Sequence, residues 1–127
     1  LTPEAEQPLE KARQTLSKAT IMLNAGLPDE AGRCAYLAAF HAAQALIFEQ
    51  TGRTPKTHHG VRTAFARLAT TEPGFEPSLR RFLTHGYDLK SLADYAIGPA
   101  AIVSTELATD AIDHATLFVN RIESALS

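Results

Sequence analysis

The residues best suited to chemistry crowd into one short polar stretch, TPKTHHGVR at positions 54–62. Thr57 is an N-cap candidate, and a helix that starts there presents free N–H groups and positive potential beside His58. A phosphate can dock on such a terminus without a dedicated loop, and Lys56 and Arg62 add charge to it. The alternative is that Thr57 only caps the helix and His58 packs over it. From Gln50 to Thr71 there is no acid, while Arg53, Lys56, Arg62 and Arg67 stand beside His58 and His59. From Ser91 onward the balance reverses, with Asp94, Glu106, Asp110, Asp113 and Glu123 against Arg121 alone. One end or face of the fold is therefore locally positive, either a phosphate-binding patch or an ordinary solvated helix surface.

Other reactive side chains point to structure first. Asp94 sits between Ala93 and Tyr95 near a helix end, where an acid forms a hydrogen bond or ion pair, and Arg33 is the partner to test first. Such a pair would fasten the second helix to the fourth. His41, on a mostly apolar helix, reads as a buried histidine bonded to a neighbouring helix rather than as a catalyst. Cys34, with no second cysteine in the chain, reads as a small packing residue rather than a nucleophile. Adjacent His58 and His59 cannot both face one metal from a regular helix, although they could from a loop. Asp110 with His114 is a lone acid–histidine pair at helical ligand spacing, and the repeated Glu-x-x-His arrangement of a dinuclear site is missing. No metal site and no cofactor are expected, and there is no Gly-rich phosphate loop.

The elements that must position these residues are helices. Leu9, Ala12, Leu16, Ala19 and Leu23 recur at three- and four-residue spacing between Pro3 and Gly26. Pro28 and Asp29 open a second, central helix striped with Ala35, Ala38, Ala39, Ala42, Ala45 and Leu46, and Gly52 marks its exit. Alanine there is both the best helix former and small enough to let another helix approach. Thr57 begins a third helix carrying Val61, Phe65 and Leu68, and EPGFEP interrupts the chain after it. A fourth is expected from about Ser78 to Ala96, with Gly86 as a possible bend or break and Gly98 and Pro99 as its end. The last begins between Pro99 and Ser104 and carries Ala108, Ala111, Ala115, Phe118, Val119, Ile122 and Leu126.

No segment alternates long enough to argue for a strand, so residues 1–127 are expected to form a single all-α domain, a four- to five-helix up-and-down bundle. The composition, 45% apolar and 20% charged, is that of a folded globular chain. The formal charge of −2 argues against a bulk nucleic-acid coat protein. No apolar run approaches a membrane span, and the acidic start LTPEAEQPLEKAR does not read as a signal peptide. With a single cysteine, unable to pair within the chain, the expected compartment is the cytoplasm.

Three stretches together resemble the HEPN family, in particular its small prokaryotic members: AGRCAYLAAFHAAQALI at 31–47, PKTHHGV at 55–61 and LKSLADY at 89–95. Arg33, Tyr36, Phe40, His41, Lys56, Thr57, His58, Gly60, Val61, Ala93, Asp94 and Tyr95 fit the family pattern. The resemblance implies a HEPN-like bundle, frequent homodimerisation and association with a minimal nucleotidyltransferase. Many members are metal-independent ribonucleases that use an Arg and a His four to six residues apart across a dimer cleft. In such a site His moves the proton of the ribose 2′-hydroxyl and Arg holds the scissile phosphate. Here the corresponding place reads Lys90 and Tyr95. Lysine lacks the planar fork of arginine, and a phenol near pKa 10 is poorly matched to proton transfer at neutral pH, so both weigh against ribonuclease activity. Tyr95 is shared with the small prokaryotic branch; Lys90 is a departure.

Arg80 and His85 repeat the Arg–His spacing one stretch earlier, but lie about 140° apart on a straight helix. They would converge only if Gly86 broke the helix or a partner subunit completed the site. The reading that results is a HEPN-type accessory protein, homodimeric, that partners a minimal nucleotidyltransferase in a toxin–antitoxin or stress-response system. Nucleotide or RNA would be contacted by Arg33, Lys56, Thr57, His58, Lys90, Asp94 and Tyr95. One alternative is a metal-independent endoribonuclease toxin acting through Arg80 with His85 or Lys90 with Tyr95. The other is a helical oligomerisation module without a ligand.

Overall fold

The computed structural model describes residues 1–95 and 103–127, Tyr95 by its backbone. Five helices carry them: α1 Pro3–Asn24, α2 Pro28–Thr51, α3 His58–Ala69, α4 Pro77–Tyr95 and α5 Thr105–Leu126. Among the described residues there is no strand. The fold is all-α, as the periodicity predicts, and no described helix is long and apolar enough to cross a membrane.

Local chemistry sets most boundaries. Thr2, Thr57 and Ser104 cap α1, α3 and α5, each side-chain oxygen accepting from a backbone N–H three residues on. Pro3 and Pro28 occupy first-turn positions, where the missing N–H costs nothing. Gly52 ends α2 in the left-handed region at φ 76°, its N–H returning to the Phe48 carbonyl at 2.7 Å. The fifth helix starts at Thr105, with Ser104 outside as its cap, one residue beyond the expected window. Ala96, Gly98 and Pro99 lie outside the described residues.

Helix α2 is the axis of the molecule and packs against the other four. Thirteen of its residues are buried, seven of them alanines distributed around the helix, and that lets neighbours close in on several sides. On the far side Phe65 of α3, Phe75 of the α3–α4 link and Phe118 of α5 meet at 4.9–6.3 Å between ring centres, and Phe82 of α4 reaches Phe118 at 6.3 Å.

Gly86 does not bend α4. The helix runs unbroken past it, and the glycine has a packing cause instead. A Cβ built there would stand 3.0 Å from Tyr36 Cδ1 and 3.2 Å from Tyr36 Cβ. Only a residue without a side chain lets α4 lie this close to α2 at Tyr36.

Candidate functional site

Tyr36 and Phe40, one turn apart on α2, present their rings to the start of α3. His58, the first residue of α3, stacks on Phe40 with 4.4 Å between ring centres and an interplanar angle of 23°. Its Nδ1 lies 2.8 Å from the Tyr36 hydroxyl. Tyr87, delivered by α4 next to Gly86, meets Tyr36 edge-on at 5.7 Å and His58 at 5.5 Å. Four aromatic rings from three helices thus form one cluster, and the guanidinium of Arg62 lies 4.2 Å above the Tyr87 ring.

The electrostatics of the cluster follow from its burial. Burial pushes the Tyr36 hydroxyl up to about 12, with the nearby Arg62 charge opposing, so the phenol keeps its proton. Burial, then the charges of Lys90 and Arg62, push His58 below the ordinary imidazole value, so the ring is neutral at physiological pH. A phenol is the better donor and a neutral imidazole nitrogen the better acceptor. Tyr36 therefore donates to Nδ1, and the His58 proton sits on Nε2, available to a ligand oxygen. The Arg62 guanidinium is tied into the cluster by a hydrogen bond to Tyr36 and by its stack on Tyr87, while its Nη1 is buried without a hydrogen-bond partner among the described residues.

A second polar group borders this cluster. Arg33 Nε donates to Asp94 Oδ1 at 2.9 Å, and Lys90 Nζ donates to the other carboxylate oxygen. Lys90 and then Arg33 hold the Asp94 carboxyl below its usual range. The ion pair fastens α2 to α4 and fixes Lys90 near His58. The start of α3 and the end of α4 therefore lie near one another: Lys90, paired with Asp94 and through it with Arg33, is close enough for its charge to act on His58.

Other singled-out residues fall elsewhere. Thr57 Oγ1 is occupied by the Gly60 N–H at 2.9 Å, and Lys56 is exposed in the connector. Gly60 is required there, because a Cβ would lie 2.9 Å from Pro55 Cβ and 3.0 Å from Thr57 Oγ1. Tyr95 is the last residue of α4, and its side chain lies outside the described part. Arg80 and His85 do not converge within the chain, because α4 is continuous between them. Arg80 lines a groove between α3 and α4. His85 lines a cavity of about 620 Å³ between α4 and α5, beside Phe82, Asp110 and His114.

His41 bonds not to a neighbouring helix but to Gln44 of its own, Nδ1 to Oε1 at 2.9 Å. The Asp110–His114 pair is a surface contact, with His114 Nδ1 2.9 Å from the Asp110 carbonyl and 3.5 Å from its carboxylate. Cys34 is buried, and burial raises its thiol, which suppresses the nucleophilic thiolate. No group of three or more His, Cys, Asp or Glu side chains among the described residues could hold a metal ion. Sequence reasoning weighed Arg62 only as added charge and passed over Tyr87. The available signal was Tyr87 itself, an aromatic one helical turn before Lys90.

Known proteins identify the family of the chain. The HEPN domain model matches residues 5–125. Across 97% of its length the chain is 34% identical to a toxin candidate of Methanocaldococcus jannaschii, covering 89% of that protein. It is 30% identical to a UPF0332 protein of Archaeoglobus fulgidus, over 98% of this chain and 96% of the relative. The crystal structure of TT1696 from Thermus thermophilus shares the fold, with a TM-score of 0.78 over 98% of this chain and 99% of that one at 22% identity. A family match over almost the whole chain, two relatives of similar length and the five-helix architecture agree: the chain belongs to the HEPN domain family.

Proposed function

We propose that this chain is a toxin-like HEPN protein that binds the phosphate of a nucleotide or RNA in the α3–α4 cleft. In this reading it acts, as a homodimer, as the non-catalytic or weakly catalytic partner of a minimal nucleotidyltransferase. The observation that carries the reading is His58, fixed by Tyr36 with Nε2–H free to donate and flanked by Arg62 and Lys90. Two cations and an imidazole donor around stacked aromatic rings suit a phosphate ester with a base attached. The family membership and the relative named as a toxin candidate support the same reading. Asp94 serves here by holding Lys90 and Arg33 in place, and Lys56 adds charge at the mouth.

Calorimetry with adenosine monophosphate, and co-purification with the product of the neighbouring gene, tested for nucleotidyltransferase activity, examine the two halves of the proposal. Binding that is lost in His58→Ala supports the cleft. The absence of binding to nucleotide, RNA and the neighbouring gene product would leave the oligomerisation module as the better reading.

Ribonuclease activity is the second reading, favoured by His85 lining an open cavity with Asp110 and His114. Arg80 and His85 of one chain face different grooves, so a second copy would have to supply one of the two. RNA cleavage in chelator, compared among wild type, His85→Ala and Tyr95→Phe, decides it; background rates in all three remove it.

A further inference from the structure

We propose that the cavity between α4 and α5 is a binding site for a small organic cation with an apolar body, an arylalkylamine in the simplest case. The inference is independent of the phosphate reading, because Tyr36, His58, Arg62 and Tyr87 do not line this cavity.

The cavity has a cause in the packing. Gly86 lets α4 close onto Tyr36 of α2, and the same glycine lines the cavity with no side chain to fill it. Ala111 of α5 lines the space with no more than a methyl group. The two helices run antiparallel here: Phe82 meets His114 and Phe118, while Leu89 and Leu92 pack against the cluster that holds Val103 and Ala108. Between them about 620 Å³ is left, within the range of about 300–1,000 Å³ that small-molecule sites occupy.

The walls divide by chemistry. Phe82, Leu89, Leu92, Leu107 and Ala111 supply apolar surface, and Leu107 is 50% exposed. At one end the Phe82 and His114 rings stack nearly parallel, 5.7 Å apart at 12°, and form a flat aromatic wall. Toward the other end the antiparallel register sets Asp88 of α4 opposite Asp110 of α5. Among the described residues Asp88 has no ion-pair partner, and Asp110 has only His114 of its own helix, at 3.5 Å. Helix α5 adds Glu106 and Asp113, and carries no Lys or Arg from Thr105 to Asn120. Arg81 lies at the aromatic end, seven residues from Asp88 and so about 10 Å away along the helix.

Charge and shape select the ligand. Two carboxylates without a basic side chain between them favour an ammonium group, and the apolar walls favour a body that leaves water. Six residues separate Phe82 from Asp88, about 9 Å at the helical rise of about 1.5 Å per residue, the reach of an aromatic ring on a short alkylamine. An anion of the same shape would be repelled by Asp88 and Asp110. A metal ion would need a third ligand, and the described residues bring no such group together.

The test compares tryptamine with indole-3-propionate, a ligand of similar shape and opposite charge, by amide NMR shifts and calorimetry in chelator. The proteins are wild type, Asp88→Asn/Asp110→Asn and Ala111→Leu. Tryptamine should saturate wild type, with the largest shifts on α4 from Phe82 to Leu92 and on α5 from Leu107 to His114. Indole-3-propionate should bind at least about tenfold more weakly, and the double variant should weaken tryptamine about tenfold. Both aspartates are exposed, so their replacement remains informative if the larger side chain of Ala111→Leu disturbs folding. A folded Ala111→Leu should lose the site, because leucine fills it. Absence of saturable shifts, tryptamine bound as tightly by the double variant, or indole-3-propionate bound as tightly as tryptamine overturns the proposal. Displacement of tryptamine by adenosine monophosphate also overturns it, and would place both ligands at one site. A dimer by light scattering that Ala111→Leu converts to monomer overturns it too, and makes the groove a contact between copies. Failure of adenosine monophosphate to bind, with the tryptamine response intact, would instead remove the phosphate reading alone.

Discussion

His58 is held from two sides by interactions that respond to different substitutions: stacking on Phe40, which is apolar and insensitive to protonation, and the hydrogen bond from Tyr36. Tyr36→Phe should keep the stack and lose the bond, costing about 1 kcal/mol in thermal denaturation. Its diagnostic effect lies elsewhere. With the proton no longer directed to Nε2, nitrogen NMR of His58 should show a mixture of tautomers where wild type shows one. Asp94 gives a prediction of opposite sign. Its carboxylate attracts Lys90 and Arg33, so Asp94→Asn should cost about 1 kcal/mol of stability. It should nonetheless tighten phosphate binding roughly threefold, because a negative charge leaves the neighbourhood of the ligand. Calorimetry on Asp94→Asn that shows weaker binding at unchanged fold would make Asp94 a direct ligand contact. The Arg33–Asp94 pair was readable beforehand because an acid set between Ala93 and an aromatic near a helix end calls for a partner, and Arg33 near the start of the central helix could supply it. Tyr87 was not. Which residues of α4 face the cleft depends on the rotation of that helix about its own axis, and apolar spacing left that rotation open over the polar run from Thr84 to Lys90.

At the scale of elements, the helix starts were legible because caps are local chemistry. Thr57 announces itself with an oxygen acceptor just ahead of an amphipathic run, and Gly52 with a residue able to enter the left-handed region, whereas Ser104, read only as the limit of a window, is the cap of α5. Gly86 was misjudged for a corresponding reason. A glycine inside a helix has the same local signature whether it breaks the helix or admits a neighbour, and only the position of Tyr36 on another helix distinguishes them. Gly86→Ala separates the two by experiment. If the glycine were only a weak point, alanine would stabilise α4 by about 1 kcal/mol through helix propensity. Because the new Cβ would collide with Tyr36, net destabilisation of about 1–2 kcal/mol is expected instead. The damage should reach the site, since Tyr87 and Lys90 move with α4. Phosphate affinity should therefore fall together with stability in Gly86→Ala.

For the whole molecule, two partly buried histidines couple stability to pH and fix its sign: His58 in the aromatic cluster and His41 beside Phe40 on α2. Burial lowers both His58 and His41 in the folded chain, with Lys90 and Arg62 adding to the effect at the first and Lys11 at the second. Above the ordinary imidazole value of about 6.5 both rings are neutral folded and unfolded, so they contribute no pH dependence. As pH falls below that value, the unfolded chain takes up protons that the folded chain resists. Stability is then lost progressively as pH passes down through the depressed folded values. The urea midpoint should fall between about pH 7 and about pH 5, with a slope no steeper than two protons allow, about 2.7 kcal/mol per pH unit. Asp94 joins with the same sign only at lower pH, where its carboxylate, held low by Lys90 and Arg33, is protonated. Tyr36 acts at the other extreme, where unfolded tyrosine ionises near pH 10 while the buried phenol holds its proton to about 12, so stability falls there as pH rises. Saturating phosphate ligand turns the acid limb into a test of the site. A phosphate at Nε2 favours the imidazolium, so adenosine monophosphate should move the acid loss to lower pH and stabilise the protein more at pH 5.5 than at pH 7.5. The difference should vanish in His58→Gln and persist in His41→Gln. A ligand increment equal at both pH values in wild type would mean that bound phosphate does not touch His58.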